Sequence, residues 1–341
     1  MSPLLKSLSG DPEIEALMSD EATIAHMIRF ERALAMAEGE LSMIPEDHAR
    51  RIHLELKDFV PDMAQLAAGM ERDGVVVPEL VRQMRAVLGE AGASLHRGTT
   101  SQDVIDSAMA MQIVSVMPVF ASRIDRLLTG FDALAARHHG QELQAHTRMQ
   151  KALPISVAVK VKSWRAPLRR AGAVLAEAGR ELTVVQLGGP VGDGASFKGN
   201  DRLLAEQLGP RLGLGVAPPW HSERDRIAGF AAELAKVSGV LGKFGTDISL
   251  MAQGDRGEVR VEEAGISSAI ADKANPVAAE VLVALARFNA GSLGTLHQAL
   301  VHENESSGAA WTLEWLVLPQ MILTTGASLR LAQRLLDRIS F

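Results

Sequence analysis

The sequence predicts an all-α protein in which a small N-terminal helical domain is followed by a bundle of long helices. Wherever a hydrophobic pattern is clear, its period is 3.6 residues or a heptad, which is typical of helices. Aromatic residues make up only 4% of the chain and tyrosine is absent, whereas strands favour aromatic and β-branched residues. We therefore expect residues 1–97 to form the N-terminal domain and residues 98–341 to form the bundle.

The N-terminal part is predicted to consist of short helices, because prolines interrupt it. Pro45, Pro61 and Pro78 mark the expected breaks. The first long helix should then run from about Gln102 to Arg137, with a bend near Pro118. A second should begin after Pro154 and continue past Pro167 to about Leu182.

Two further long helices are predicted in the second half of the chain. Between Ser222 and Met251 the apolar residues follow a heptad pattern, which indicates a helix of the bundle core. Pro276 is well placed to start another helix that ends near Leu300 and is apolar on most sides. We expect the polar and glycine-containing segment 254–276 between them to be a mobile loop.

Composition excludes several classes of function. Lys and Arg number 35 and Asp and Glu number 41, so the formal charge of −6 disfavours binding to nucleic acid. There is no cysteine, so disulfides and thiolate metal sites are excluded, and no metal or cofactor is expected. The charge-free run Ser107–Ser122 is shorter than the about 20 residues that span a membrane. With no signal-peptide pattern near the start, we expect a cytoplasmic protein without a membrane partner.

Three polar segments lie at the ends of long apolar helices, and we call them segments 1, 2 and 3. They are His96–Asp103, His146–Lys151 and Ser267–Pro276. Hydroxyl, amide and cationic side chains in front of a helix N-terminus form sites for carboxylates, because backbone N–H groups and the helix dipole face the anion. The sequence therefore predicts sites that bind carboxylates.

Segment 3 resembles the signature of the fumarase/aspartase superfamily, G-S-S-x-M-P-x-K-x-N-P. The paired serines, the lysine, the asparagine and the proline keep their register, as Ser267, Ser268, Lys273, Asn275 and Pro276. Segment 1 resembles the family's H-x-G-x-T-S-x-D-x-x-D, and segment 2 resembles its T-H-x-Q-x-A-x-P. All three motifs occur in the family's order.

The resemblance implies a homotetramer in which each active site collects the three segments from three different chains. It also implies Ser267 as the catalytic base and Lys273 as the positive charge that supports it. The implied substrate-binding residues are His96, Thr100, Ser101, Thr147, Arg148, Gln150, Ser268 and Asn275. Arg97, Lys151 and His302 are further candidates for a positively charged cleft.

One departure from the motif of segment 2 narrows the range of reactions that we expect. Lyases of the superfamily have histidine directly after the threonine of segment 2, whereas this chain has Arg148. The 3-carboxy-cis,cis-muconate cycloisomerases lack that histidine and share the paired tryptophans Trp311 and Trp315. The resemblance therefore implies lactonisation of a tricarboxylate, in protocatechuate catabolism. We also expect this chain to lack the C-terminal domain of longer relatives.

Three other interpretations stay open at this point. One is a C–N lyase that acts on an adenylosuccinate-like substrate, although Arg148 and the missing last domain disfavour it. Another is a cycloisomerase for 3-sulfomuconate, which the sequence does not distinguish from the tricarboxylate enzyme. The last is a non-catalytic helical bundle, which the intact Ser267, Lys273 and Asn275 disfavour.

Overall fold

The fold is seen in a computed structural model that describes residues 2–262, 265–266, 268–270 and 274–341. Short helices occupy the N-terminal part, as predicted. They are α1 (Pro3–Ser9), α2 (Pro12–Leu17), α3 (Asp20–Glu40), α4 (Glu46–Glu55), α5 (Met63–Asp73) and α6 (Val77–Leu88), followed by a 3₁₀ turn at Gly89–Ser94. Pro45 caps α4, Pro61 precedes α5, and Pro78 lies in the first turn of α6, so the proline breaks are confirmed.

The rest of the chain is dominated by long helices. They are α7 (Ser101–Arg137), α8 (Val157–Leu182), α9 (Asp201–Leu212), α10 (Asp225–Met251), α11 (Val277–Gln298) and α12 (Gly308–Leu336). Four of these match the long helices expected from the periodicity. The heptad positions of α10, among them Leu234, Val237 and Leu241, are buried.

The bundle core forms where α7, α8, α10, α11 and α12 pack together. At one end of this core Phe131 meets Phe244 edge-on, with ring centroids 5.3 Å apart, and Trp164 packs 5.0 Å from Phe244. A second core joins the N-terminal helices to the first turns of α7 and to residues 185–214. The division at residue 97 stays a prediction, and the fold adds that α9 packs on the N-terminal helix α3.

Short antiparallel strand pairs stand out because the sequence did not predict them. The largest is a hairpin of β1 (Glu142–Thr147) and β2 (Gln150–Ser156). Two smaller pairs join β3 (Arg260–Val261) to β6 (Ile339–Ser340) and β4 (Gly265–Ile266) to β5 (Ala274–Asn275). Segment 2 therefore lies at the tip of a hairpin, and its expected place in front of a helix N-terminus is wrong.

Within the described part of the chain two helices, α7 and α11, are long and apolar enough to cross a membrane by length and composition alone. For α7, 56% of the apolar window is buried inside the protein, as in the core helix of a bundle. For α11 only 28% is buried, and Phe288 is 46% exposed. A large part of the apolar surface of α11 is thus left uncovered by the residues that the structure describes.

Candidate active site

Segment 1 forms the start of α7, and the carboxylate of Asp103 fixes its shape. Thr100 is the N-cap and Asp103 the third residue of the helix, so the pair forms a capping box. Asp103 Oδ2 accepts hydrogen bonds from the hydroxyl of Thr99 and from the backbone N–H of Thr100, at 3.0 and 3.1 Å. Since Asp103 is fully buried, these bonds are shielded from water and hold the turn rigidly.

The same carboxylate also holds the glycine-rich loop that follows α8. The backbone N–H groups of Gly188 and Gly189 donate to Asp103 at 2.8 and 2.9 Å, and Gln186 Nε2 donates at 3.3 Å. His221 Nε2 lies 3.2 Å from Asp103 Oδ1. One buried carboxylate thus joins three separate parts of the chain at the base of segment 1.

One turn further along α7, Asp106 forms part of a buried ion network. Arg224, the residue before α10, donates to both oxygens of Asp106 at 2.6 and 3.1 Å. Its other donors reach both oxygens of Glu314 in the first turns of α12, at 2.9 and 2.5 Å. Burial lowers the pKa of Arg224, but the two carboxylates outweigh it and hold the pKa above its ordinary value. Trp311 Nε1 completes the network by donating to Asp106 at 3.1 Å.

His96 is the candidate cation of segment 1. Its Nδ1 lies 2.5 Å from Glu31 Oε1, and the Glu31 side chain is almost fully buried. Burial lowers the pKa of His96, but the adjacent Glu31 carboxylate outweighs it and raises the pKa above its ordinary value. His96 also has a left-handed backbone with φ of 60°. Glu31 therefore both orients the ring and favours its charged form, which suits a carboxylate ligand.

Thr100 and Ser101 are both partly exposed at the positive end of α7. Within the part of the chain that the structure describes, the Ser101 hydroxyl has no hydrogen-bond partner. Its neighbours Gln102 and Asp103 are bound to other parts of the protein, whereas Ser101 stays available to a ligand.

Segment 2 presents its polar side chains at the tip of the β1–β2 hairpin. Thr147 pairs with Gln150 across the ladder, and Arg148 and Met149 form the two-residue turn between them. Both turn residues are left-handed, with φ of 51° and 66°, a geometry that usually calls for Asn or Gly. Thr147, Arg148 and Gln150 are all exposed. Strained backbone angles of this kind cluster at functional sites, so the turn is consistent with Arg148 as a candidate ligand-binding residue.

Segment 3 is bracketed by the short β4–β5 pair, in which Gly265 pairs with Asn275 and Ile266 with Ala274. Ser268 is exposed and Asn275 is half-buried. Ser267 and Lys273, the predicted catalytic residues, lie outside the described residues. Ile266 is 94% exposed, which is unusual for a large apolar side chain within a folded chain.

The fold brings the candidate residues together in groups rather than in one place. His96, Thr100 and Ser101 lie at the start of α7, whereas the hairpin with Thr147 and Arg148 follows its end. With 37 residues at 1.5 Å each, α7 is about 55 Å long. Segments 1 and 2 of one chain are therefore too far apart to hold the same small molecule.

The loop that leads into segment 3 lies beside the hairpin. Arg256 NH2 is 3.2 Å from His146 Nδ1, and Arg256 is also paired with Glu258. The polar connection after α10 thus reaches the same end of the bundle as segment 2. Among the described residues no group of three or more His, Asp or Glu is arranged to hold a metal.

Sequence reasoning missed the residues that support segment 1. Arg224 and Glu314 were not candidates, and His221 and Gln186 lie in loops without a motif. One signal was present, since Glu314 is an acid between the apolar residues Leu313 and Trp315 of α12, and a buried acid needs a partner. His302, a weaker candidate, has a nearly buried side chain 3.9 Å from Glu314, and burial lowers its pKa.

Comparisons of this chain with a family model and with known proteins point to the same family. Residues 11–288 match the family model described as lyase. The 3-carboxy-cis,cis-muconate cycloisomerase of Bradyrhizobium diazoefficiens is 34% identical, over 96% of this chain and 75% of the relative.

Two crystal structures are close to this fold. The 3-carboxy-cis,cis-muconate lactonizing enzyme of Pseudomonas putida superposes with a TM-score of 0.93 at 31% identity, covering 99% of this chain and 77% of that chain. A fumarate lyase from Mesorhizobium sp. BNC1 superposes with a TM-score of 0.91 at 32% identity, covering 97% of this chain and 76% of that chain. The chain therefore belongs to the lyase family, as its resemblance to the fumarase/aspartase superfamily predicted.

Proposed function

We propose that this protein is a 3-carboxy-cis,cis-muconate cycloisomerase, which closes its tricarboxylate substrate to a carboxymuconolactone in protocatechuate catabolism. Arg148 is the observation that carries the proposal. It replaces the histidine of the superfamily's lyases and projects from a strained hairpin tip. Relatives that are named for this reaction and match nearly the whole chain support it.

The chemistry explains why such an enzyme needs no histidine at this position. In lactonisation one carboxylate of the substrate adds to a carbon–carbon double bond, and a proton is added to the carbon alpha to another carboxylate. The attacking group is tethered and already ionised, since a carboxylic acid has a pKa near 4. In the reverse direction the same carboxylate leaves without a general acid. Arg148 can then bind a substrate carboxylate through two parallel hydrogen bonds.

The other candidate residues receive roles in the same proposal. Ser267 transfers the proton at the alpha carbon, and Lys273 stabilises the charge that develops during this step. His96, Thr100 and Ser101 bind a carboxylate at the start of α7, as do Thr147 and Gln150 at the hairpin. Ser268 and Asn275 hold the substrate from segment 3.

The proposal includes an assembly in which different chains complete one site. A single chain keeps segments 1 and 2 at opposite ends of a helix about 55 Å long. The uncovered apolar surface of α11 offers a contact face for another copy. We propose a homotetramer in the cytoplasm whose active sites draw the three segments from three chains.

An ultraviolet absorbance assay tests the reaction directly. The purified protein is mixed with 3-carboxy-cis,cis-muconate, 3-sulfomuconate, adenylosuccinate and fumarate in separate experiments. The proposal expects fast loss of the muconate absorbance and no turnover of adenylosuccinate or fumarate. Faster turnover of adenylosuccinate than of the muconate would show that the enzyme is a C–N lyase. Faster turnover of 3-sulfomuconate would show that the sulfonate is the preferred substrate.

Two serine variants separate catalysis from folding. Ser267→Ala should abolish turnover while the circular dichroism spectrum stays unchanged. The matched control is Ser163→Ala on the exposed face of α8, where the hydroxyl donates to the carbonyl of Lys160 and has no other partner among the described residues. Activity of Ser267→Ala within a few-fold of the wild type would assign the proton transfer to another residue.

A further inference from the structure

A cavity of about 250 Å³ lies behind segment 1 and is not used by the proposed reaction. It opens between the end of α3, the turn at Arg97–Gly98 and the glycine-rich loop around Phe197. His96, Thr100 and Ser101, the candidate ligands of segment 1, do not line it. Arg97 and Gly98 of segment 1 line the cavity instead, and neither of them binds the substrate in the proposed reaction.

Glu38 lies at one wall of this cavity without a partner. It is 1% exposed, and neither of its carboxyl oxygens has a hydrogen-bond partner among the described residues. Burial and the nearby carboxylate of Glu31 raise the pKa of Glu38 to about 8, although Arg97 acts against this. At neutral pH the side chain is therefore a neutral acid and adds no negative charge to the wall of the cavity.

Two cations line the cavity as well. Arg97 and Lys198 are exposed, and neither forms an ion pair within the described part of the chain. Lys198 is held in a left-handed conformation with φ of 56° in the glycine-rich loop. With Glu38 neutral, the charged groups at the wall are both positive, so the cavity attracts an anion.

Apolar side chains fill part of the wall between these polar groups. Leu41, Met43 and Phe197 line the cavity together with the polar residues. An apolar cavity of about 150 Å³ in another protein holds benzene, so about 250 Å³ suffices for one ring with a carboxylate.

We propose that this cavity is a second ligand site, distinct from the active site, for a small monocarboxylate with an apolar body. Arg97 and Lys198 bind the carboxylate, and the apolar side chains pack on the body. The ligand would bear directly on segment 1, because the Ser196 hydroxyl in the same wall donates to the carbonyl of Gly98 at 2.5 Å. This site does not depend on which reaction the enzyme catalyses.

Titration of the intact protein with benzoate tests the proposal, with calorimetry as the measurement. We expect saturable binding of one benzoate per chain at pH 7. Arg97→Gln and Lys198→Gln should each weaken it about tenfold or more, because each removes a charge-assisted hydrogen bond. Arg202→Gln on α9 is the control, because this exposed arginine has Glu206 as its one ion-pair partner among the described residues, and the variant should bind benzoate like the wild type.

A pH series examines the role of Glu38. Above pH 8 the carboxyl group ionises and repels the ligand, so the affinity of the wild type should fall there. The groups around it are Glu31, which is bonded to His96, and the cations Arg97 and Lys198. Glu38→Gln should still bind benzoate at pH 7 and should lose that part of the pH dependence.

Three results would overturn the proposal. One is the absence of benzoate binding to the folded wild-type protein. Another is wild-type affinity in both Arg97→Gln and Lys198→Gln, whose exposed side chains can be replaced without unfolding. The third is loss of binding in Arg148→Gln, since the probe would then occupy the proposed active site.

Discussion

Arg224 donates hydrogen bonds to both carboxylate oxygens of Asp106, at 2.6 and 3.1 Å, in a part of the protein that water does not reach. Asp106 lies near the start of α7 and Arg224 directly precedes α10, so the pair holds the N-terminal ends of the two helices together. Because both side chains are 1% exposed, the pair tolerates the loss of neither partner.

The first prediction concerns this pair. Arg224→Met should destabilise the protein by about 3–5 kcal/mol, because it leaves the carboxylates of Asp106 and Glu314 buried without a counterion. Arg224→Lys should be less harmful, since it keeps the charge but not the planar donors that reach two carboxylates. Urea unfolding followed by circular dichroism measures both.

The control for this experiment is an exposed ion pair. Arg50 on α4 is paired with Glu46, and both side chains are largely exposed. Arg50→Met should therefore leave the unfolding midpoint unchanged. An equally small effect of Arg224→Met would mean that the buried network contributes little to stability.

The second prediction concerns the pH dependence of stability. The pKa of Glu38 is about 8 in the folded protein, whereas that of a glutamate in the unfolded chain is about 4.3. Between these values the folded state keeps a proton that the unfolded state releases. Glu38 therefore lowers the stability as pH rises through this window, by up to about 1.4 kcal/mol per pH unit.

Glu38→Gln isolates this effect, because the amide does not ionise. The free energy of unfolding of the variant minus that of the wild type should grow between pH 5 and pH 8 and should level off above it. Urea midpoints at four pH values suffice. A difference that does not change with pH would show that Glu38 ionises normally in the folded protein.

The long helices could be predicted from the sequence because their apolar spacing is regular. The ends of α7, α8, α10 and α11 lie within a few residues of the predicted limits. Helix α12 was not predicted, although its paired tryptophans Trp311 and Trp315 were noted. Residues 185–214 pack on the N-terminal core, which no local pattern indicates.

The hairpin of segment 2 could not be predicted, since its turn residues are not those that such turns favour. Arg148 and Met149 adopt left-handed backbone angles that the sequence gives no reason to expect. For the site, the motifs supplied the candidate ligand-binding residues. The buried supports, Arg224 and Glu314, come together only in the folded chain.

The third prediction concerns Arg148. Arg148→His restores the residue of the superfamily's lyases but removes the proposed ligand of a substrate carboxylate. We expect kcat/KM on 3-carboxy-cis,cis-muconate to fall by the equivalent of about 2–4 kcal/mol. An unchanged kcat/KM would show that Arg148 does not contact the substrate.

Arg148→Asn is the informative companion variant. Asparagine adopts left-handed angles more easily than arginine, so the hairpin turn should be less strained. We expect this variant to be at least as stable as the wild type and still nearly inactive. Such a result would separate the shape of the turn from the chemistry of the guanidinium group.

The last prediction tests whether different chains complete one active site. Ser101→Leu blocks segment 1 and Thr147→Val damages segment 2, and each variant alone should be inactive. Ser101 is the first residue of α7 and Thr147 follows the end of this helix, which is about 55 Å long, so one site should take the two residues from different chains. When the two variants are unfolded together and refolded as an equal mixture, about a quarter of the sites should receive both intact segments. The activity of the mixture should therefore return to about a quarter of the wild-type value. Muconate absorbance measures the activity, and light scattering measures the mass of the assembly.

A mixture of Thr147→Val with Arg148→His is the control, because both changes damage segment 2 and no pairing of chains repairs it. A fully active wild-type monomer would show that each chain builds its active site alone. Inactive mixed tetramers of Ser101→Leu and Thr147→Val would show that the segments are not shared between chains in the proposed way.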